Sequence, residues 1–379
     1  MRETTRHKLV IIYSSYKPNI APTNRLISFL RGLDELGVET QVTFIYPNEK
    51  RDRMDVSVFS HIYVSYLWKD RDNSNKVIKY LRSFIAARRY ARQLEEGANI
   101  LLFGGSEYAP FFTQRKDLNV YQERTEHFGV VQMHPNFLQR RYIKAIPQFK
   151  GMFVISTALR EVYIEAGAKN VVIVNMTVDT NRFKGLKKTE GVEPYIAYCG
   201  TASNNKDGVD DLIKAFAIVH KDFPDIKLSI IGRSPTKQDA SGNRELVSSL
   251  GLDESVVFKG VVPASEMPQL LKDATIVALA RPDSLQARCG FPTKLGEYLL
   301  SENPVVVTKV GDIPLFLEDG KTALLAEQKN PEDFASRILW ALRNPEDSAA
   351  IGRAGREVAM REFTYLTEVK KIVRTIFGY

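Results

Sequence analysis

Cysteine is scarce. The 379 residues hold two, Cys199 and Cys289. They form no Cys-x-x-Cys pair and no zinc-ligand spacing, which excludes a disulfide framework and a zinc finger or ribbon. Reduced thiols suit a cytoplasmic protein, so the sequon-like Asn175-Met176-Thr177 is expected to stay unmodified. Long hydrophobic runs are missing as well. No segment approaches the roughly 20 apolar residues needed to span a bilayer. The charged lead before Lys8 reads as the approach to a first strand rather than a secretory signal. No bias toward low complexity or disorder is present: 44% hydrophobic and 26% charged residues describe a globular chain. At about 150 residues per domain, its length suggests two or three domains.

Charge is unevenly placed. The net formal charge is +8, yet residues 1–175 carry 26 Lys and Arg against 17 Asp and Glu. The remainder holds 27 against 28, so the whole excess lies in the first half. That half is the one expected to meet a negative partner, such as a membrane surface or a phosphorylated acceptor. No zinc-finger spacing, RNP-like aromatic motif or helix-turn-helix points to nucleic acid.

Short β-branched runs alternate with helical patterns, the pattern of parallel sheets with crossover helices. Strands are expected at Lys8–Ser14, Thr40–Tyr46, His61–Leu67, Asn99–Phe103, Asn119–Gln122, Met152–Ser156 and Val171–Asn175. A second series runs through Tyr195–Cys199, Lys227–Ile231, Val256–Lys259, Thr275–Leu279 and Pro304–Thr308. Between them, Thr180–Pro194 is polar, lysine-rich and without apolar period, as a linker is. The expected fold class is therefore α/β, with two doubly wound, Rossmann-like domains facing across a cleft. Residues 1–180 form the first, 181–194 the linker and 195–360 the second. Residues 361–379 are expected to form a helix returning to the first domain.

Two stretches bear chemistry. In "YCGTASNNKDGVDDLIKAF", Tyr198–Phe216, a strand gives way to a polar loop and then a helix, the arrangement of a phosphate site. Lys206 sits at that mouth, either as a phosphate ligand or as a solvated lysine beside a cap. In "CGFPTKLGEYLL", Cys289–Leu300, Gly290 permits close backbone approach and Pro292 suits a first helical turn. Lys294 near a helix N-terminus opposes the dipole, a conflict that a bound anion would remove. Glu297, three residues on, shares its face. It can accept hydrogen bonds from a ribose diol, or simply pair with Lys294.

These stretches, in order, resemble the retaining GT-B glycosyltransferases of family 4, glycosyl transferases group 1, across nearly the whole chain. "FKGMFVISTALREVYIEAGAKNVVIVNMTVDTNRF" resembles the segment closing the family's first domain, with Asn175, Val178, Asp179 and Phe183 holding the pattern. "GTASNNKDGVDDLIKAF" resembles its "GR…KG…L…AF": Lys206 falls at the diphosphate lysine, while Thr201 stands where arginine is usual. "CGFPTKLGE" resembles the glutamate–seven–glutamate signature, with Glu297 at the ribose-binding glutamate and Cys289 where the first is expected. A subset of the family instead has Pro-x-Lys-x-x-Glu-Tyr, matched by Pro292, Lys294, Glu297 and Tyr298. The resemblance implies a donor-binding set of Gly200, Thr201, Lys206, Arg233, Gly290, Phe291, Pro292, Thr293, Lys294 and Glu297. It implies transfer of a hexose-type sugar from a nucleoside-diphosphate donor to a saccharide or lipid-linked acceptor, in cell-surface polysaccharide or glycoconjugate synthesis.

A leaving diphosphate needs its developing charge stabilised. Lys206, Lys294 and the amides of Gly200–Ser203 and Gly290–Phe291 are the candidates, so neither metal nor cofactor is expected; the nucleotide sugar is a substrate. "DRD" at Asp70–Asp72 reads as a solvated loop rather than a metal site. In the first half, His127 and Glu123 are catalytic candidates. Asn19, Thr23, Asn24 and Arg25 offer polar groups after the first strand, with Asn24, Arg25 and Glu107 assigned to the acceptor. His127 reads more readily as an ordinary surface or packing histidine, and Glu123 is equally well placed. The amphipathic Lys76–Leu94 is expected to pack Val77, Leu81, Phe84 and Ile85 on the sheet and to solvate its basic face. The alternative is docking on anionic lipid, which would place a cytoplasmic protein at the inner face of a membrane. Two other functions fit the same residues: a nucleotide-sugar epimerase, and a non-catalytic nucleotide-sugar-binding protein.

Overall fold

The computed structural model describes residues 8–18, 20–46, 53–68, 75–130 and 136–379. Asn19 and Asp70–Asp72 lie outside them. The chain divides into two compact units, residues 1–175 with 365–379, and residues 176–364. The first division falls at Asn175, inside the stretch expected to belong to the first domain.

The first unit is built on a seven-stranded sheet. Its strands are β1 (Lys8–Tyr13), β2 (Glu39–Phe44), β3 (Ile62–Tyr66), β4 (Asn99–Phe103), β5 (Asn119–Arg124), β6 (Gly151–Val154) and β7 (Val171–Ile173). They run parallel in the order β3-β2-β1-β4-β5-β6-β7. Parallel strands are covered on both faces, which explains the near-continuous burial of Leu9–Tyr13 and Ile100–Phe103. Helix starts are locally encoded: the Asn75 and Ser156 side chains accept from the N–H groups of Ile78 and Leu159.

The C-terminal helix Tyr365–Phe377 belongs to this unit. Val369, Ile372 and Val373 join the core with Leu26, Phe29 and Leu33 of the helix Ala21–Glu35. Buried Glu368 accepts hydrogen bonds from the backbone N–H and side chain of Asn175, at 2.7 and 3.3 Å. Lys371 balances its charge at 2.7 Å.

One expectation is overturned. The apolar side of the helix Lys76–Gln93 does not pack on the sheet. Its buried residues are Lys79, Ser83, Ala87 and Ala91, while Val77, Leu81 and Ile85 are exposed. Space decides the face. Ser83 bonds Tyr108 hydroxyl to hydroxyl at 2.8 Å, and Ala87 and Ala91 are fully enclosed, so the packing side admits small residues.

The second unit has six parallel strands: β8 (Tyr195–Cys199), β9 (Lys227–Ile231), β10 (Val256–Gly260), β11 (Ile276–Leu279), β12 (Val305–Thr308) and β13 (Leu324–Ala326). Their order is β10-β9-β8-β11-β12-β13. β13, Leu-Leu-Ala, holds no β-branched residue and so does not stand out in sequence, whereas the equally short β7 is Val-Val-Ile. The strand order reverses between β8 and β11, and open α/β sheets bind ligands beyond the carboxyl ends of their strands at such a point. The stretch expected to be a linker lies along the helix Met267–Asp273 of the same unit. Thr189 N–H and hydroxyl donate to Asp273, and Lys188 to Ala274 O.

Candidate functional site

The carboxyl ends of β8 and β11 gather a charged cluster. After β8 the backbone turns at Gly200, then forms a short helix, Asn204–Asp207, capped by Ser203. Gly208, with φ of 64°, ends that helix and starts the next, Val209–Asp222. A Cβ at Gly208 would overlap Ala280 O at the end of β11, so the two strand ends meet closely only because it is glycine.

Lys294, first residue of the helix Lys294–Leu300, reaches into this junction. Its Nζ donates to Asp207 Oδ2 at 2.7 Å and to the Tyr198 hydroxyl at 2.9 Å, and lies 4.6 Å from the Tyr198 ring centroid. The Tyr198 oxygen is also 2.6 Å from Thr201 O and 2.9 Å from Asp207 Oδ2, so its single proton serves one of the two acceptors at a time. Fully buried Arg281 places a guanidinium nitrogen 3.8 Å from Asp207 Oδ1. The anion expected at Lys294 is therefore present within the chain, as the carboxylate of Asp207.

Electrostatics follow from this packing. Burial alone would raise the pKa of Asp207, but Lys294, Arg281 and the hydrogen bonds from Lys294 and Tyr198 outweigh it, and the net shift is downward. Burial pulls Lys294 below the usual lysine value. Asp207 opposes that pull, while Arg281 and Lys206 add to it. Lys294 and Arg281 thus converge on one carboxylate, and Lys206 acts on Lys294 from nearby, leaving an excess of positive charge at the switch point.

The remaining donor-side candidates are placed as follows. Glu297 pairs with Arg182, whose other nitrogen donates to Ala264 O at 2.6 Å. Lys294 and Glu297 therefore share no bond, despite their i,i+3 spacing. The N–H groups of Gly200, Ala202, Ser203 and Gly290 already donate to Ile231, Arg233, Thr201 and Gln286 carbonyls. Thr201 and the Arg233 side chain are exposed. Phe291 is buried against Phe316 and Phe363. Pro292 is buried just ahead of Thr293, the capping residue, and accepts from Leu295 N–H at 2.9 Å. Cys289 and Cys199 are both buried, and burial pushes the Cys199 thiol up to about 12, so it is inert.

In the first unit, the carboxyl ends of β1, β4 and β5 collect the acceptor-side candidates. Arg25 and Glu123 are brought together. Arg25 Nε donates to Glu123 at 2.7 Å, and its terminal nitrogens donate to Asn175 O and Val174 O at 2.6 and 2.8 Å. Both side chains are buried, so Glu123 is engaged in an internal ion pair. Asn24 is exposed, while neighbouring Thr23 is buried near the Tyr13 hydroxyl. Glu107 follows β4 in a short 3-10 turn, and burial raises its pKa, partly offset by a backbone hydrogen bond and Arg124. His127 lies in the loop after β5, stacked on Phe128; its Nδ1 accepts the Gly129 N–H at 2.8 Å, which assigns its proton to Nε2. Burial lowers its pKa, so it is neutral at pH 7.

Sequence reasoning missed Asp207, Arg281, Arg182 and Arg124. Asp207 stands in the first quoted stretch and Arg281 ahead of the second, but nothing local marks them as partners, because the fold joins them over long chain separations. Arg124 donates to Ser106 at 2.6 Å and to the Tyr163 hydroxyl at 3.0 Å, tying the loops after β4 and β5 together.

Comparison with known proteins covers this geometry. The family described as "Glycosyl transferases group 1" matches residues 193–344, which include the whole cluster. A GDP-mannose-dependent α-(1-6)-phosphatidylinositol monomannoside mannosyltransferase from Mycolicibacterium smegmatis is 27% identical over 176 residues, 46% of this chain and 45% of that protein. The chain spans about half the length of the curated relatives it matches. Among solved structures, Anabaena HepE in complex with UDP and glucose has a TM-score of 0.76 at 17% identity, covering 98% of this chain and all of that one. TarM has a TM-score of 0.78 at 13% identity, covering both chains fully. At these identities the likeness establishes the fold: two parallel-sheet α/β units, as in GT-B structures. Through residues 193–344, the chain is similar to the glycosyl transferases group 1 family.

Proposed function

We propose that the protein is a nucleotide-sugar-dependent, retaining glycosyltransferase that moves a hexose-type sugar to a saccharide or lipid-linked acceptor. The observation that carries this reading is the convergence of Lys206, Lys294 and Arg281 at the β8/β11 switch point, inside the matched segment. A departing nucleoside diphosphate accumulates negative charge, and preorganised cations in a partly dry site stabilise it. Lys294 is the group that meets the diphosphate, exchanging Asp207 for phosphate oxygens. Lys206 adds its charge at the mouth of the site. Glu297, held by Arg182, is oriented for a ribose diol. These cations supply the role a divalent ion plays elsewhere, so we infer metal-independent transfer with no cofactor. In the first unit, His127 Nε2–H is a donor for a sugar hydroxyl, and Glu107 a group for acceptor hydroxyls. Products of this class are cell-surface polysaccharides or glycoconjugates; the mannosyl transfer to phosphatidylinositol mannoside named for one relative supports that choice.

A thermal-shift screen of nucleotide sugars tests the donor, since a ligand bound only by the folded state raises apparent stability. GDP-mannose and UDP-glucose come first. Incubation with labelled donor, with and without acceptors, then tests the reaction. Transfer that requires acceptor supports the proposal; isomerisation without acceptor would make the protein an epimerase. Binding without turnover would make it a non-catalytic nucleotide-sugar-binding protein, a reading that the Asp207–Lys294 pair favours because it neutralises the central lysine.

A further inference from the structure

The exposed face of the helix Lys76–Gln93 has no explanation in the donor chemistry. Val77, Leu81 and Ile85 stand 67%, 59% and 61% exposed, each four residues apart and therefore in one stripe. Arg88 and Arg92 continue that stripe, and Arg82 and Arg89 flank it; all four are exposed. Beside it, the helix Asn136–Ala145 presents Phe137, 56% exposed, with exposed Arg140 and Lys144. A hollow of about 410 Å³ on this surface is lined by Phe84, Ile85, Arg88, Phe111, Gln114 and Arg141. The Arg141 guanidinium lies 5.6 Å from the Phe111 ring centroid, and Arg88 and Gln114 supply the other polar groups of the lining.

Single exposed aliphatic residues are ordinary, but a stripe of them at helical spacing marks a docking surface. Charge identifies the partner. The two helices carry nine Lys and Arg and no Asp or Glu, within the half of the chain that holds the whole basic excess. A water-soluble or acidic protein surface would match the charge but leave the aliphatic stripe without purpose. An anionic bilayer matches both, since its surface attracts basic residues and its interface accepts aliphatic and aromatic ones.

We propose that this face docks on an anionic lipid bilayer. Val77, Leu81, Ile85 and Phe137 enter the boundary between headgroups and acyl chains, and Arg88 and Arg141 hold a lipid phosphate at the hollow. The inference is independent of the donor reading, because every residue in it belongs to the first unit and none to the cation cluster.

Flotation tests it with phosphatidylcholine vesicles, pure or with about a third phosphatidylglycerol. The protein should float only with the anionic vesicles. The double variant Leu81→Glu/Ile85→Glu should lose at least tenfold in bound fraction, and Arg88→Gln/Arg141→Gln should lose a comparable amount. Leu81, Ile85 and Arg88 are exposed and Arg141 is half-buried, so circular dichroism and melting should match the wild type; if the glutamates disturb folding, Leu81→Ser/Ile85→Ser takes their place. Three results overturn the proposal. The wild type stays in solution with anionic vesicles. The aliphatic variants bind as well as the wild type, which leaves only general electrostatic adsorption. Or sedimentation shows a dimer that those variants dissociate, which makes the face a self-interface. Nucleotide-sugar thermal shifts on the same variants should equal the wild type's, so a failed donor reading and a failed membrane reading stay distinguishable.

Discussion

Asp207 Oδ2 accepts the Lys294 ammonium at 2.7 Å, so the cation set at a helix start is answered by a carboxylate 87 residues earlier in the chain. The same carboxylate faces Arg281 on its other side. Removing it would take this counter-charge from the largely buried Lys294. Asp207→Asn should therefore destabilise the second unit by about 3 kcal/mol, measured by urea denaturation at pH 7. The sign of the pH dependence follows from the lowered folded-state pKa: the pair's stabilisation is full above the ordinary carboxylate value and disappears as pH falls through the depressed one. The gap between wild type and variant should close in acid. A gap that persists there would assign the loss to packing instead.

Lys206→Ala and Lys294→Ala should each lower turnover by roughly 10²–10³-fold, the scale for losing one preorganised group that stabilises transition-state charge. Steady-state rates with the donor found by thermal shift measure this. Near-normal turnover in both variants would remove the leaving-group role.

Gly200 makes the approach of Lys294 possible. Its φ of 146° disfavours any side chain, and a Cβ there would overlap Lys294 Nζ and lie 2.7 Å from its Cε. Gly200→Ala should displace the lysine and reduce donor affinity at least as much as Lys294→Ala, with donor titration as the readout. An unchanged affinity would show that Lys294 binds donor from another position.

Arg25 satisfies Glu123 and two carbonyls at the end of β7. Arg25→Met keeps much of the volume but leaves a buried carboxylate unpaired, and should cost about 3–5 kcal/mol. Arg25→Met/Glu123→Gln should recover part of that loss, because the stranded charge is gone. Denaturation of the four members of the cycle gives the coupling. Strict additivity would contradict the ion pair.

Glu107 has a pKa raised by burial, so the folded state holds its proton to higher pH than the unfolded chain does. Its presence should cost stability as pH rises above the ordinary glutamate value. Glu107→Gln should match the wild type near pH 4 and become progressively more stable by comparison toward pH 8. Parallel denaturation curves at all pH values would contradict the burial effect.

Much of the architecture was legible because parallel strands between crossover helices are short, β-branched and bounded by polar loops. Among the described residues, twelve of the thirteen strands are marked in that way, and Leu324–Ala326 escapes. Lys206 and Lys294 were legible because a cation at a strand-to-helix junction is locally odd. Their partners were not, since Asp207 and Arg281 look like ordinary loop residues until the switch point brings β8 and β11 side by side. The helix Lys76–Gln93 misled for a related reason. Periodicity shows that a helix has an apolar side, but not which side the sheet takes, and small Ser83, Ala87 and Ala91 won the packing.

The tyrosine that closes the Pro-x-Lys-x-x-Glu-Tyr sequence has a mechanical consequence. Tyr298 donates its hydroxyl proton to Cys199 O and accepts the Cys199 N–H, both at 2.7 Å. One side chain thus rivets the helix bearing Lys294 and Glu297 to the last residue of β8, directly before Gly200. The two parts of the cluster share a single frame. A displacement of either would carry the other with it, so the spacing of the cations is held by the scaffold and not set anew by each incoming donor.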